Sequence, residues 1–401
     1  MHVRQWIELG LIYLLGVAAS MGLGLLPPVA VDLRGAIHGS IQDVGLLLGA
    51  LYIPSFVGSV FIGRLVDRLD SRILFVVGAV AMAVPAALNL MANSLVWWFA
   101  DICLMGSGLV TLLVTAQTVL ATTFRGKAQA GALSLWATAP YAGITCGLLL
   151  SGTLAETPVW RWVFLIQGLT ALVLAVPVVL FLPTRRAVAP PLAAHGGGGF
   201  RVWVTEFKSV RLCLGYAVVT FCSAGSSAIW PMYLSRFHEM PLGTTTKLMA
   251  LTSPFAILGA LAVGVLNARA VSPAKIGLML AGVAVLSTVV LYAPHIDLRL
   301  VAAAMSLWAL CIGAVAAFTY SLIPRLLSDQ GAMGVSTGMM YQLSSILAIG
   351  GVPAFFAMAT LSQANLVIAG VIIASWAFMI AVTPMWRFAN VGLAPSAPKA
   401  V

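Results

Sequence analysis

The chain has 401 residues, of which 61% are apolar and only 8% charged, and its mean hydropathy is +1.05. So few charges cannot cover the surface of a soluble fold of this length, so the composition specifies a protein that crosses a membrane many times. The net charge of +10 is spread over short connections between apolar runs, which points to membrane topology and away from a nucleic-acid surface.

Twelve apolar runs follow one another, beginning near Ile7, Asp43, Ile73, Leu95, Gln129, Trp162, Leu212, Lys247, Ile276, Leu300, Val335 and Leu366. Each has the roughly 20 residues that a helix needs to span a bilayer. None alternates apolar and polar positions as a barrel strand does, so the fold class expected is an all-α membrane protein with twelve transmembrane helices. The first run follows Arg4 and resembles a leader peptide, but it continues past leader length and has a counterpart in the second half, so it is read as a spanning helix. With a cytoplasmic N-terminus, 16 of the 21 basic residues fall on the cytoplasmic side and five outside. That asymmetry predicts that both termini are cytoplasmic.

The chain repeats at an offset of about 200 residues, a mark of transporters built from two halves. Pro27 recurs as Pro231, Gly63-Arg64 has an echo in Gly264 to Arg269, and Tyr141 matches Tyr341. Two pseudo-symmetric six-helix bundles are therefore expected, at residues 1–183 and 211–388, joined by a cytoplasmic linker at 184–210 and followed by a tail at 389–401. The linker holds Pro190-Pro191 and Gly196 to Gly199, which cannot form a core. Phe200 to Phe207 has the pattern of a surface-lying amphipathic segment.

No cofactor is expected. The glycine run is not followed by the Lys-Ser/Thr of a phosphate loop. The five cysteines lie in apolar runs without CxxC spacing and are read as small buried or lipid-facing residues. All five histidines fall in loops or tails. Metal, redox and ATP-driven chemistry are thereby disfavoured, and Asp67 and Asp70 are too closely ringed by arginines to suggest an enzyme.

Between the second and third runs, Gly63-Arg64-Leu65-Val66-Asp67-Arg68-Leu69-Asp70-Ser71-Arg72 concentrates charge that hydrocarbon would not accept. This stretch resembles the signature loop of the major facilitator superfamily through Gly63, Asp67, Arg68 and Arg72. Asp70 stands where that family usually has glycine, and Ser71 where a basic residue is usual. Gly143, Gly147, Ser151 and Gly152 in the fifth run look like the glycine ladder of the family's drug–proton antiporters, although Leu148 replaces its proline. Trp160-Arg161-Trp162 is another feature shared with the family.

The resemblance implies alternating access, with Asp67 facing the start of the eleventh helix near Gly334 and Gly63, Arg68, Arg72 and Arg125 taking part in conformational gating. It also implies a substrate site between the bundles, lined by helices 1, 4, 7 and 10. Polar and aromatic candidates there are Tyr13, Thr115, Gln117, Tyr216, Thr220, Trp230, Trp308 and Tyr320. Helices 5 and 11 add Trp136, Tyr141, Tyr341 and Gln342.

Asp101 is the one carboxylate placed well inside a helix and is the candidate for proton coupling. The Arg that exporters of the family often carry in the fourth helix is absent, with Ile102 at its place. Glu8 is expected at the cytoplasmic interface. With no Lys or Arg at depth, a neutral, zwitterionic or amphipathic cargo fits better than a carboxylate or phosphate. The expected function is proton-coupled efflux of a small organic molecule by a monomer in the plasma membrane, a bacterial inner membrane by preference. The alternatives are a proton-linked importer of a nutrient or organic acid and, more remotely, a transporter-like receptor or membrane enzyme.

Overall fold

The computed structural model describes residues 3–26, 28–39, 41–154, 157–182, 207–239, 248–293, 296–326 and 333–385. Among these, twelve helices are long and apolar enough to cross a membrane. We number them α1 (Arg4–Leu25), α2 (Leu46–Arg68), α3 (Ser71–Leu88), α4 (Leu95–Thr123), α5 (Ala128–Leu154), α6 (Trp162–Phe181), α7 (Lys208–Trp230), α8 (Leu248–Ala268), α9 (Pro273–Leu291), α10 (Leu298–Leu326), α11 (Met333–Ala359) and α12 (Ala364–Val382). The helix that contains α7 starts at Phe207, so the last four residues of the expected 184–210 linker are already helical. The rest of that linker, most of the amphipathic stretch and the 389–401 tail lie outside the described residues.

The apolar pattern found the spans but not their breaks. Helix α2 is interrupted at Leu51-Tyr52, α5 at Ala137-Thr138 and α8 at Ser253-Pro254. At each break a proline opens the second segment: Pro54, Pro140 and Pro254. Proline lacks the N–H that would continue the ladder and its ring clashes with the preceding turn, so it restarts a helix more readily than it continues one. A short helix, Ala30–Ile37, also lies in the α1–α2 connection, where none was expected.

The two halves pack alike. Helix α1 lies against α5, α6 and α4, α3 against α4 and α6, and α2 against α4. Adding six to each number gives the pairings of the second half: α7 with α11, α12 and α10, α9 with α10 and α12, and α8 with α10. Between the halves, α2 meets α11 and α5 meets α8, again a symmetric pair. The three broken helices are thus all helices of the inter-half seam.

Close approach of backbones explains the glycine ladder of α5. A Cβ on Gly143 would lie 2.4 Å from the Val17 carbonyl oxygen of α1, and one on Gly147 would lie 2.3 Å from that of Met21. Ser151 continues the same face four residues on, its hydroxyl 3.4 Å from the Gly24 carbonyl. Small residues let two helices meet where lipid provides no hydrophobic drive to bring them together. Gly152 meets nothing and is not part of this contact.

Alternating helix directions bring Arg4, Arg64, Arg68, Arg72, Arg125, Lys208, Arg211, Arg269, Lys275 and Arg325 to one end of the molecule, the basic end. Two of these arginines tie helix ends together. Arg72 donates to the Leu182 carbonyl beyond α6, and Arg211 donates to the Val382 and Ala381 carbonyls of α12, at 2.8 and 3.3 Å. Cations at helix C-termini satisfy carbonyls that lack intrahelical partners. The five cysteines are free thiols, three of them buried.

Candidate substrate cavity and interdomain latch

The seam between α2 and α11 is a stripe of small residues at helical spacing. On α2 these are Ser55, Ser59 and Gly63, ending at Asp67; on α11 they are Gly334, Gly338 and Ser345. A Cβ on Gly63 would lie 2.2 Å from the Gly334 carbonyl oxygen, and one on Gly338 would lie 2.2 Å from that of Ser59. Deeper in the seam, the Ser345 hydroxyl donates to the Ser55 hydroxyl at 2.7 Å.

At the basic end of this stripe, the Asp67 carboxylate accepts the backbone N–H groups of Gly334 at 2.9 Å and Val335 at 3.1 Å. These are first-turn N–H groups of α11, which have no partner within their own helix. The bonds are charge-assisted, and the helix dipole adds to them. The carboxylate therefore latches α2 to α11 at the position the signature-loop resemblance implies.

The other loop residues divide differently. Arg68 and Arg125 are exposed at the basic end, whereas Arg72 reaches back to the end of α6 in its own half. Asp70, the departure from the family glycine, caps α3 by accepting the Arg72 backbone N–H at 3.0 Å.

Near the middle of the seam, tyrosines from both halves converge. Tyr216 of α7 and Tyr320 of α10 pack edge to face, with ring centroids 6.1 Å apart. The Tyr320 and Tyr341 hydroxyls lie 3.5 Å apart. Tyr141 of α5 donates across the seam to the Ile312 carbonyl at 3.2 Å. The Thr145 and Ser253 hydroxyls bridge α5 and α8 at 3.0 Å. A cavity of about 90 Å³ sits here, lined by Tyr141, Tyr216, Thr220, Ser223, Ile312 and Val315. None of these residues is charged. The volume is below the roughly 300–1,000 Å³ of small-molecule sites, so the halves are nearly closed around it.

The structure thus brings together Tyr141, Tyr216, Thr220, Tyr320 and Tyr341. Trp136 is buried beside Gly16 of α1. Tyr13 bonds the Thr138 hydroxyl at 2.9 Å, at the break in α5. Other candidates lie elsewhere. Trp230 donates to the Tyr292 hydroxyl at 3.3 Å, and Trp308 packs edge to face on Trp376 of α12 at 6.5 Å, both inside the second half. Thr115 and Gln117 are both buried, but two residues along a helix turn them to opposite faces of α4. Gln342 lines a separate groove between α2 and α11.

Asp101 is 6% exposed, six residues after the start of α4, and its Oδ2 has no hydrogen-bond partner among the described residues. Met105 and Gly108, four and seven residues on, meet Asn89 and Gly78 of the α3 region. The same face therefore directs Asp101 toward α3 and away from the tyrosine cluster. Glu8, expected at the cytoplasmic interface, stands in the first turns of α1 at the basic end, where its side chain is buried and ion-paired with the exposed Arg4 at 3.2 Å.

Comparison with known proteins agrees with this architecture. The profile of the family described as Major Facilitator Superfamily matches residues 12–349. The multidrug resistance protein MdtG of Yersinia enterocolitica is 27% identical over 209 residues, 52% of this chain and 50% of that protein. The efflux pump radE of Floropilus chiversii is 27% identical over 144 residues, 36% of this chain and 25% of that protein. The matched part spans about half or less of these curated relatives. The crystal structure of the human organic anion transporter MFSD10 superposes with a TM-score of 0.77 at 13% identity, covering 94% of this chain and 100% of that one. A bacterial homologue of the iron transporter ferroportin gives a TM-score of 0.73 at 14% identity, covering 96% and 100%. With the family profile covering most of its length and the twelve helices paired as two equivalent halves, the chain belongs to the major facilitator superfamily.

Proposed function

We propose that the chain is a secondary active transporter that exports small, largely uncharged or amphipathic organic molecules by alternating access, with its basic end toward the cytoplasm. The observation that carries this reading is the seam itself. Two equivalent halves meet along α2–α11 and α5–α8, latched by Asp67 at one end, and they enclose an uncharged cluster of tyrosines. Such a seam opens at one end as it closes at the other, which is rocking about a central site. Aromatic rings with hydroxyl edges suit flat or amphipathic cargo, and a carboxylate or phosphate would find no cation there. The similarity to proteins named multidrug resistance protein and efflux pump favours export.

Proton coupling is assigned to Asp101, a buried carboxylate with an open acceptor. It faces α3, so its protonation would act through packing of the first half and not by touching cargo.

The test is proton flux in energised everted vesicles against a panel of lipophilic cations, neutral drugs, siderophores and organic acids. Export predicts that a compound discharges the pH gradient with the wild type and fails to do so with Asp101→Asn. Discharge that survives Asp101→Asn removes that residue from coupling. Silence across the panel, with labelled substrate taken up by right-side-out vesicles, reverses the direction.

A further inference from the structure

The seam holds a second cavity, apart from the one lined by the tyrosines. A groove of about 460 Å³ runs between α2 and α11 on the outer surface of the molecule, within the size range of small-molecule sites. Its walls come from different halves: Val57, Phe61 and Arg64 from α2, and Met339, Gln342 and Ile346 from α11. Val57 is 69% exposed, Phe61 63% and Ile346 39%. In a spanning helix, exposed apolar side chains of this kind face acyl chains. Polar character enters at only two places: Gln342 part-way along and Arg64 toward the basic end.

Arg64 lies four residues before the end of α2, roughly 6 Å below it. An arginine at that depth extends its stem along apolar surface and holds its guanidinium at headgroup level. The groove therefore offers an apolar channel along the membrane normal with a planar cation at its mouth. Arg68, exposed one turn further along α2, adds positive charge at the same end, while the Asp67 carboxylate beside it is taken up by the α11 N-terminus.

We propose that this groove binds an anionic phospholipid from the leaflet at the basic end, with one acyl chain along Phe61 and Ile346 and the phosphate diester on Arg64. Charge complementarity selects this occupant over a neutral lipid, since basic pockets between transmembrane helices recognise anionic headgroups. Guanidinium is also the side chain best matched to a phosphate. Arg64 is one helical turn from Asp67, and the walls of the groove part if α2 leaves α11. A lipid bridging them therefore favours the latched state, and the bilayer becomes a regulator of the cycle.

The experiment is native mass spectrometry of the full chain with phosphatidylglycerol or phosphatidylcholine of matched acyl chains. Amide hydrogen exchange at Gly334 and Val335 is then measured in bilayer discs of the same lipids. The wild type should retain phosphatidylglycerol at least about fivefold better, the selectivity that one arginine near an anionic headgroup supplies. Its two amides should exchange more slowly in phosphatidylglycerol. Arg64→Gln should bring the lipid ratio to about one and abolish the difference in exchange. Ile346→Trp, which fills the groove from the opposite wall and leaves the charge in place, should remove both adducts. Arg269→Gln, at the basic end but away from the groove, should behave as wild type. Equal retention of the two lipids by the wild type, or undiminished preference in Arg64→Gln or in Ile346→Trp, overturns the proposal.

Discussion

The Asp67 carboxylate holds the Gly334 N–H at 2.9 Å across 267 positions of sequence, a charged fastening between the two halves at the basic end. Hydrogen bonds to charged groups contribute about 1.5–3 kcal/mol each. Asp67→Asn keeps the shape and removes the charge. It is expected to raise amide exchange at Gly334 and Val335 by about tenfold or more, since about 1.4 kcal/mol is tenfold. Transport should fall, and the amount of folded protein should stay near that of the wild type. Exchange measurements on the two proteins in the same discs check this.

Gly63→Ala acts on the same contact by sterics. The added methyl would sit 2.2 Å from the Gly334 backbone oxygen, which cannot rotate away, so α2 and α11 must separate. Faster exchange at the α11 N-terminus and reduced transport are expected. Gly10→Ala is the control, because nothing lies within 4 Å of the added carbon. Its transport and exchange should match the wild type.

Tyr216→Phe and Tyr320→Phe each remove a hydroxyl from the uncharged cluster and leave the ring packing intact. If the cluster holds cargo, each should weaken substrate affinity about two- to tenfold, corresponding to the roughly 0.5–1.5 kcal/mol of a typical hydrogen bond. Thermal stability should change little. Equilibrium binding of a transported compound, paired with a melting curve, separates affinity from stability.

Trp308→Ala should show the reverse pattern. Its indole packs on Trp376 within the second half and is 2% exposed. Truncation of a buried tryptophan costs about 3–5 kcal/mol. The melting temperature in detergent should fall markedly, and cargo affinity in the protein that remains folded should hold.

The contrast between Trp308 and Tyr320 marks the limit of what could be read from sequence. Both sit on α10, and both qualified as candidates because helices 1, 4, 7 and 10 line the cavity in the family. Which face of a helix meets the seam depends on how the bundle packs, and apolar periodicity is faint where lipid and neighbouring helices are equally greasy. The twelve spans and the repeat were legible, because length and offset survive without knowledge of packing, whereas the Asp67–Gly334 contact came only from the resemblance of the charged loop to the family signature. The breaks at Pro54, Pro140 and Pro254 were legible in principle, since each proline stands in the sequence. Hydropathy carries no signal for them, because it does not register a missing N–H. The burial of Glu8 was not legible, because its partner Arg4 lies in the same turn and reads as an ordinary interfacial charge.

Rocking of two halves about the tyrosine cluster is most directly tested by distances at both ends in one protein. Spin labels at Leu69 and Arg269 report the basic end, and labels at Met91 and Leu361 report the opposite end; all four positions are exposed. Distances would be measured by pulsed electron resonance with and without a transported compound, in wild type and in Asp67→Asn. The account predicts reciprocal movement: the basic-end distance lengthens as the opposite-end distance shortens, and Asp67→Asn populates the lengthened basic end without cargo. Distances that stay fixed, or that lengthen or shorten together at both ends, would contradict it.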